Sequence, residues 1–482
     1  MAGSAAPSAA VVGRRALPQK VSLDRDFGNP LGVPGPFNGN LLAGAKLYVD
    51  PNSDAALAQA TYSQSDPTWA NLLGDIASQP GAFRFYMWTM GADVEDQVAQ
   101  YLEQSQVQQP GTTVLLSTYS LVHGACGSTA TPAFEPTYEN FINQVAQGIG
   151  DFHVVFFLEI DSLITAPCLT PAELATREAE LRYAVTALEA DPHVLVYLDG
   201  GAADALPAFR QAQLLEASGV ADAQGFFLNS THFDWTTTEL AYGEEISQIL
   251  GGAHFIINTG ENGQGPLKPP DPVEDGNEVL CNPEGRGLGP LSVSQGVAQQ
   301  TGYPNADGFL WFSNPGGSGG ECDSPQSVSD GPPAGQFWPA YAVMLAQNWV
   351  DEVTGPDVPW TPEVSTNPSP LRFGRRHIGS STLRSARVSY VDGVGGLVIA
   401  EATIMGANPK EFTVVANGCL GRNLNDSQSC RLWVQFKPSR KGTLSATLNI
   451  AVEPPATPIR LALAGTGLTS PRAYHHRSRP RT

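Results

Sequence analysis

The chain has 482 residues, and its 27 Lys and Arg against 47 Asp and Glu give a formal net charge of −20. Binding of nucleic acid requires a basic face, so this charge excludes a nucleic-acid partner. With 41% apolar and 15% charged residues, the composition is that of a globular protein and not of a disordered one. The length predicts one large domain together with a smaller one.

No run of about 18 apolar residues occurs, so we expect no membrane span. Residues 1–30 form a predicted flexible segment. The two arginines of residues 1–20 follow the apolar stretch instead of preceding it. That order makes the N-terminus a poor signal peptide.

Charge is distributed unevenly along the chain. From Asn367 to Thr482 there are 16 basic and 5 acidic residues, against 11 basic and 42 acidic residues before Asn367. Such a switch in charge marks a domain boundary. The junction at residues 353–370 contains five prolines and predicts a semi-rigid linker.

Short apolar runs recur between Leu42 and Phe312, and amphipathic segments typical of helices separate them. The interiors of the runs are β-branched or aromatic, as expected of parallel strands that are covered on both faces. The clearest helix, Pro171–Leu188, has Thr170 as its N-cap and Glu173 at the capping-box position. Residues 31–352 therefore predict an α/β fold, a distorted (β/α) barrel of about seven parallel strands. The predicted strands are Ala45–Val49, Thr113–Tyr119, Val154–Asp161, Val194–Asp199, Gly225–Asn229, His254–Asn258 and Gly308–Phe312.

In such a barrel the active site lies at the C-terminal ends of the strands. Carboxylates, amides and aromatic rings gather there, without a His/Cys cluster at metal spacing. This set favours sugar chemistry over metal or phosphate chemistry, so we expect no metal ion and no other cofactor. The residues at these ends are Tyr119, Glu159, Asp161, Asp199, Asn229, His232, Asn258 and Trp311.

Six cysteines are present without a Cys-x-x-Cys motif. Their spacing suggests three local disulfides, Cys126–Cys168, Cys281–Cys322 and Cys419–Cys430, which would imply an oxidising compartment. The alternative is six buried free thiols.

After the linker, apolar and polar residues alternate in short runs with turn residues between them and no helical segment. This pattern predicts an all-β sandwich over residues 371–467, followed by a basic, disordered tail at 468–482. The opening Leu-Arg-Phe-Gly374 and the closing Leu461-Ala-Leu-Ala-Gly-Thr-Gly467 resemble immunoglobulin-like sandwiches of the ASPM-SPD-2-hydin type. The predicted strands are Leu371–Phe373, Ser385–Tyr390, Leu397–Ala402, Phe412–Val415, Cys430–Phe436, Gly442–Ile450 and Ile459–Ala464.

Four motifs between Leu42 and Val350 carry a second resemblance. They resemble the entry strand, the Glu-Pro-Asp-Ser-Leu signature, the Tyr-Leu-Asp-Ala-Gly strand end and the Trp-x-Lys-Pro-Gly-Gly-Glu-Cys-Asp segment of glycoside hydrolase family 6. That family comprises inverting cellobiohydrolases and β-1,4-endoglucanases, and four of the cysteines fall where it places two disulfides. The motifs are Ala45-Lys-Leu-Tyr-Val-Asp-Pro51, Leu158-Glu-Ile-Asp-Ser-Leu163, Val196-Tyr-Leu-Asp-Gly-Gly201 and Phe309-Leu-Trp311 with Gly320-Glu-Cys-Asp323.

The resemblance implies roles for individual residues. Asp161 matches the catalytic acid, and Asp199 matches the aspartate that organises the network around that acid. Tyr119 matches the tyrosine that presses on the distorted sugar, and Glu321 matches a substrate-binding carboxylate.

The residues themselves leave three roles open. Asn229 and His232 either bind sugar hydroxyls or cap the helix expected at Thr236–Leu250. Trp311 is either a platform on which a sugar stacks or a core residue.

The sequence also departs from the family pattern. Ala125 stands where the family has a second aspartate, and Asn258 where it has the aspartate often proposed as the base. The family lysine falls at Ser313 or Asn314. Glu261 is the carboxylate nearest the missing base, and it is either a substitute base or an ordinary loop acid.

We therefore expect an extracellular glycoside hydrolase, secreted or on the cell surface, that cleaves β-1,4-glucan chains by an inverting acid/base mechanism with a divergent active site. Its partner would be a β-glucan polysaccharide or oligosaccharide, and we expect a monomer. The alternatives are a catalytically silent glycan-binding barrel and an adhesion module.

Overall fold

The computed structural model describes residues 39–87, 93–121, 135–270, 278–356, 363–392, 397–424, 428–452 and 458–469. Within these ranges, no helix combines the length and the apolar character that a membrane crossing requires. The segment expected at residues 1–30, the tail beyond Thr469 and the disulfide expected at Cys126 lie outside the described residues.

Seven parallel strands form one sheet in which they follow one another in chain order. Every strand except the first is buried along its whole length, because helices cover one face and the barrel interior covers the other. The predicted seven-stranded parallel fold is confirmed. The strands are β1 (Phe83–Phe85), β2 (Val114–Thr118), β3 (Val154–Leu158), β4 (Val194–Asp199), β5 (Gly225–Leu228), β6 (His254–Asn258) and β7 (Ala306–Leu310).

The segments that flank the two edge strands of this sheet meet each other. Gly81 forms a parallel bridge with Trp311, and the Asn314 side-chain amide donates to the Ala82 carbonyl at 2.9 Å. Apolar side chains fill the interior that the curved sheet encloses, with the rings of Phe157 and Phe312 stacked at 4.2 Å between centroids. The sheet is therefore a nearly closed barrel.

One predicted strand is wrong. Ala45–Val49 is not a strand of the sheet but makes a single bridge, Leu47 with Thr113, beside β2. It pairs no further beyond Leu47 because the N–H and the carbonyl of Val49 are both hydrogen-bonded to the Gln109 side chain. The strand that completes the set of seven is β1, Phe83–Phe85, which was not predicted. Three residues are too few to show a periodic pattern in the sequence.

Helices cover the outer face of the sheet, and the apolar side chains of those that lie between β1 and β7 in the chain pack against it in one continuous core. The helices before β1 and after β7 pack in a second cluster around Trp311. The best predicted helix, Pro171–Leu188, begins where expected. The Thr170 hydroxyl accepts from the Glu173 N–H at 3.4 Å, and the Glu173 carboxylate accepts from the Thr170 N–H at 2.8 Å. The helices are α1 (Asp54–Tyr62), α2 (Pro67–Ala77), α3 (Val94–Gln108), α4 (Glu135–Ile149), α5 (Pro171–Leu188), α6 (Ala208–Ala217), α7 (Thr236–Ile249), α8 (Val297–Thr301) and α9 (Pro339–Gln347).

The C-terminal part consists of strands in two sheets that share one apolar core. The strands are β8 (Glu363–Asn367), β9 (Leu371–His377), β10 (Thr382–Asp392), β11 (Leu397–Met405), β12 (Phe412–Asn417), β13 (Asn423–Leu424), β14 (Ser429–Phe436), β15 (Gly442–Val452) and β16 (Ile459–Leu468). One sheet has the order β12-β14-β10-β8 and the other β13-β11-β15-β16-β9. All pairs are antiparallel except β16 with β9.

Each predicted strand of this region is present, and two further strands were not predicted. The strand β8 lies within the segment predicted as a linker and pairs with β10. The linker prediction at 353–370 is therefore wrong from Glu363 onwards. The prolines that suggested it flank the strand instead of interrupting its hydrogen bonds.

Two predicted disulfides are confirmed. Cys281 and Cys322 are bonded with 5.7 Å between their Cα atoms, and Cys419 and Cys430 with 5.1 Å. The first joins two loops at the C-terminal side of the barrel, and the second lies within the β-sheet region.

Candidate active site

The loop that follows β3 carries Asp161 in a conformation that few residues adopt. Glu159 and Asp161 both have left-handed backbones, with φ of 55° and 65°, a region that non-glycine residues enter only when their surroundings hold them there. The buried Glu159 carboxylate helps to fix this backbone conformation, because its Oε2 accepts from the N–H groups of Ser120 and Leu121 at 2.6 and 2.9 Å. The loop is thereby fixed to the end of β2.

A buried arginine holds the same loop from α5. The Arg177 guanidinium donates to the Ser162 carbonyl at 2.8 Å, to the Thr165 hydroxyl at 2.9 Å and to the Leu121 carbonyl at 3.0 Å. Desolvation lowers the pKa of Arg177, and the negative charge of Glu159 acts in the opposite direction. The sequence analysis missed this residue, although an arginine on the core-facing side of an amphipathic helix is a signal in itself.

Asp199, at the end of β4, holds the loop from the other side. Its Oδ2 accepts from the N–H groups of Leu163 and Ile164 at 2.7 and 3.0 Å, and its Oδ1 accepts from Gly201 at 3.0 Å. Burial, and then the charge of Asp161, raise its pKa to about 6 against the effect of these three donors. Since both oxygens are occupied by backbone donors, the carboxylate positions the loop that carries Asp161.

The Asp161 carboxyl itself is half-buried, and its Oδ1 accepts a hydrogen bond from the Thr231 hydroxyl at 2.7 Å. Desolvation raises its pKa, against the opposing effects of Thr231, His232 and Arg84. Tyr119 lies within the electrostatic range of this carboxyl, and burial and the Asp161 charge raise the pKa of its phenol to about 12. A carboxyl with a raised pKa can stay protonated closer to neutral pH, as a general acid must.

Arg84 on β1 is the central cation of the site. Its guanidinium donates to the hydroxyls of Ser117 at 3.4 Å and Ser313 at 3.3 Å. Burial raises the pKa of Asp161 and of Glu261, and the charge of Arg84 opposes both increases. The position of the family lysine falls at Ser313 or Asn314, and neither residue is a cation. Here the Arg84 guanidinium reaches Ser313 from β1. It escaped sequence analysis because β1 itself was not predicted.

A second carboxyl lies beyond the end of β6. Glu261 is half-buried, its Oε1 accepts from the Gly316 N–H at 3.1 Å, and burial raises its pKa to about 7. Asn258, where the family has an aspartate, instead donates to the Asn229 carbonyl at 3.2 Å and accepts from the Ser313 N–H at 3.3 Å. Its amide therefore ties strand ends together.

Two residues expected to bind substrate have their side chains engaged within the protein. The buried Asn229 amide donates to the Asp234 and Asn258 carbonyls at 3.2 and 3.3 Å. Trp311 is 1% exposed, and its indole N–H donates to the Pro290 carbonyl at 2.9 Å. Its ring is part of the core under α1, α2 and α9, so of the two roles left open for Trp311 the structure shows the core residue and not the sugar platform.

Glu321 lies on an exposed loop. Its neighbour Cys322 is bonded to Cys281, which fixes that loop at the C-terminal side of the barrel. The structure thus leaves the Glu321 carboxylate facing solvent.

His232 lies between two acidic side chains. Its Nδ1 is 2.8 Å from the Asp204 Oδ1 and 2.9 Å from the Glu278 Oε1. These two carboxylates raise the pKa of the imidazole although burial opposes them. His232 is the residue after Thr231 in the chain, and Thr231 is the hydrogen-bond donor of Asp161.

Comparison with known proteins matches most of the barrel region to a family. The family model for glycosyl hydrolases family 6 matches residues 42–349. Endoglucanase A of Cellulomonas fimi is 32% identical over 306 residues, which cover 63% of this chain and 61% of that protein. Endoglucanase 1 of Streptomyces halstedii is 29% identical over 308 residues, 62% of this chain and 88% of that protein.

A solved structure shares the fold of the same region. It is the endoglucanase Cel6 of Mycobacterium tuberculosis in complex with methyl-cellobiosyl-4-deoxy-4-thio-β-D-cellobioside, 33% identical, with a TM-score of 0.55, covering 64% of this chain and 99% of that one. The family model covers more than half of the chain. The chain therefore belongs to family 6 of the glycosyl hydrolases.

Proposed function

We propose that this protein is a glycoside hydrolase that cleaves β-1,4-linked glucan chains with inversion at the anomeric carbon. The observation that carries the proposal is the placement of Asp161. It lies at the C-terminal end of β3 in a left-handed conformation, partly withdrawn from water and hydrogen-bonded to Thr231. The relatives named as endoglucanases support glucan as the substrate, as does the cellobioside ligand of the Mycobacterium tuberculosis structure.

In the proposed reaction Asp161 gives its proton to the leaving glycosidic oxygen as the bond to the anomeric carbon breaks. A water molecule bonds to that carbon from the opposite face and gives its proton to Glu261, the substitute base. Asp199 and Arg177 hold the loop of Asp161, and Tyr119 packs against the sugar in the cleaving subsite. We assign Glu321 to glucan binding further along the cleft.

We also propose an extracellular location. Two disulfides are formed, Cys281–Cys322 and Cys419–Cys430, and disulfides persist in oxidising compartments. The β-sheet region that follows the barrel would then be an accessory domain of the immunoglobulin-like type.

The activity can be tested on the purified full chain with a panel of glucans. We expect new reducing ends from carboxymethyl cellulose and from mixed-linkage β-glucan. A purely β-1,3-linked glucan, which lacks the proposed linkage, should give none. If no glucan yields product even at high protein concentration, the hydrolase proposal fails, and glucan binding by the same protein would then favour the silent glycan-binding alternative.

The barrel should work without the sheets that follow it. The α7 residue Thr237 donates from its N–H to the Thr354 carbonyl at 3.1 Å and from its hydroxyl to the Pro356 carbonyl at 2.8 Å. A chain that ends after Pro356 keeps these bonds and should retain full activity on soluble substrate. A matched chain that ends at Glu352 loses them and should melt at a lower temperature. An insoluble or inactive Pro356 fragment would show that the barrel depends on the C-terminal sheets.

A further inference from the structure

Three ligand-type side chains from separate loops converge beside the candidate acid. Asp204 follows β4, His232 follows β5, and Glu278 lies in the segment between β6 and α8. The His232 Nδ1 is 2.8 Å from an Asp204 oxygen and 2.9 Å from a Glu278 oxygen, and all three atoms lie within 4.8 Å of one another. Their side chains are 13%, 11% and 1% exposed for Asp204, His232 and Glu278, so the cluster is enclosed yet open to solvent on the Asp204 side.

The spacing suits a small cation. A zinc-class ion binds imidazole nitrogen and carboxylate oxygen at about 2.0–2.2 Å, which places neighbouring ligand atoms about 3–3.5 Å apart. Shifts of a few tenths of an ångström, on the order of ordinary side-chain adjustment, would open the cluster to that spacing. Three protein ligands would leave a fourth position for water.

The charge around the cluster also points to a cation. The carboxyls of Asp234 and Glu239 lie within the electrostatic range of Asp204. The cationic groups that act on Asp204 are His232 and Lys268. Arg286 acts on Glu278 in addition, so four acidic side chains face three basic ones in a largely buried region, and buried charge requires compensation.

Glu278 gives an independent indication. Its side chain is 1% exposed, and one oxygen faces His232. Within the described part of the chain its other oxygen, Oε2, has no hydrogen-bond partner. A buried carboxylate with an unused oxygen has capacity for a further ligand contact.

We propose that Asp204, His232 and Glu278 bind one divalent cation of the zinc class. His232 supplies Nδ1 as a neutral imidazole, and each carboxylate supplies one oxygen. The ion would lie between Nδ1 and the two carboxylate oxygens, which are 2.8 and 2.9 Å from that nitrogen. The sequence analysis expected no metal because these ligands lie far apart along the chain, so no metal-type spacing exists.

The proposed cation site lies close to the proposed catalytic acid, but the cation proposal does not depend on the proposed hydrolysis. Thr231, which donates to Asp161, is bonded directly to His232 in the chain. The ion would fix the loop after β5 and thereby the partner of the acid. Binding can be measured without any substrate.

The test is calorimetric titration of the chelator-treated full chain with ZnCl2. We expect one ion per chain. Asp204→Asn and Glu278→Gln should each weaken binding at least tenfold, because each removes one anionic ligand. Asp191→Asn is the matched control, since it alters a second aspartate–histidine pair, Asp191 with His193 at 2.9 Å. Among the described residues this pair has no second carboxylate that would complete a three-ligand group. Affinity in this control should stay unchanged.

Two further measurements keep the test decisive. The wild-type chain loaded with Co²⁺ should show visible absorption bands that Zn²⁺ abolishes, which requires no variant to fold. A chain that ends after Thr469 lacks the His475-His476 pair of the tail and should bind Zn²⁺ as tightly as the full chain. The proposal is overturned if the wild type binds no Zn²⁺ at millimolar concentration, if both ligand variants bind normally, or if removal of the tail abolishes binding.

Discussion

Asp161→Asn should abolish hydrolysis of β-1,4-glucan while leaving glucan binding intact. The amide keeps the size of the side chain and can still accept from the Thr231 hydroxyl, which is 2.7 Å away. It has no proton to give to the leaving oxygen, and loss of general acid catalysis costs about 10²–10⁴ in rate. Steady-state kinetics on cello-oligosaccharides would measure the loss, which should fall on kcat more than on KM.

A substrate with an activated leaving group separates the acid role from general damage. A dinitrophenolate leaves without a proton, so Asp161→Asn should cleave a dinitrophenyl cellobioside at a rate close to that of the wild type. Asp191→Asn, a change at a half-exposed aspartate, should cleave both substrates at the wild-type rate. Equal losses on the activated and natural substrates would contradict the role assigned to Asp161.

Glu261→Gln should give the second large loss, about 10²–10⁴ in rate if Glu261 receives the proton of the attacking water. Burial raises the pKa of Glu261 to about 7, and a base must be deprotonated. The wild-type rate should therefore fall as the pH drops below about 7. The variant should lack that part of the pH profile, and added azide should restore turnover by attacking without a base.

Stability distinguishes the loss of a base from a damaged fold. The pKa of Glu261 rises from 4.5 in the free side chain to about 7 in the native state, so the native state binds the proton more tightly than the unfolded state does. The contribution of this proton to the free energy of unfolding is fully present below pH 4.5 and is lost as the pH rises through about 7. Glu261→Gln should therefore be at least as stable as the wild type at high pH. Unchanged activity in this stable variant would show that a hydrogen-bonded water chain, and not Glu261, activates the water.

The sequence predicted most of the barrel because buried parallel strands leave long apolar runs, as in Val154–Leu158 and Val194–Asp199. It failed where that signal is weak. The strand β1 is only Phe83–Phe85, with one side chain exposed and one half-exposed. Glu363–Asn367 lies among prolines, which suggested a linker although the strand between them pairs normally.

Site residues that lie within a local sequence motif could be predicted from the sequence. Site residues that come together only through the fold could not. Asp161 and Asp199 stand at strand ends that the pattern located. Arg84 and Arg177 reach the site from β1 and from α5, and no local pattern connects either to Asp161. Trp311 also stands at a strand end, but its ring turns into the core, a direction that the sequence does not specify.

The configuration of the newly formed product tests the proposed mechanism most directly. Proton NMR of the full chain acting on a soluble β-1,4-glucan would show the anomeric signal of the new reducing end before mutarotation. Water attack opposite the leaving group, with Asp161 as acid, predicts that the α-anomer appears first. First appearance of the β-anomer would mean retention of configuration and would contradict the inverting mechanism proposed for this protein.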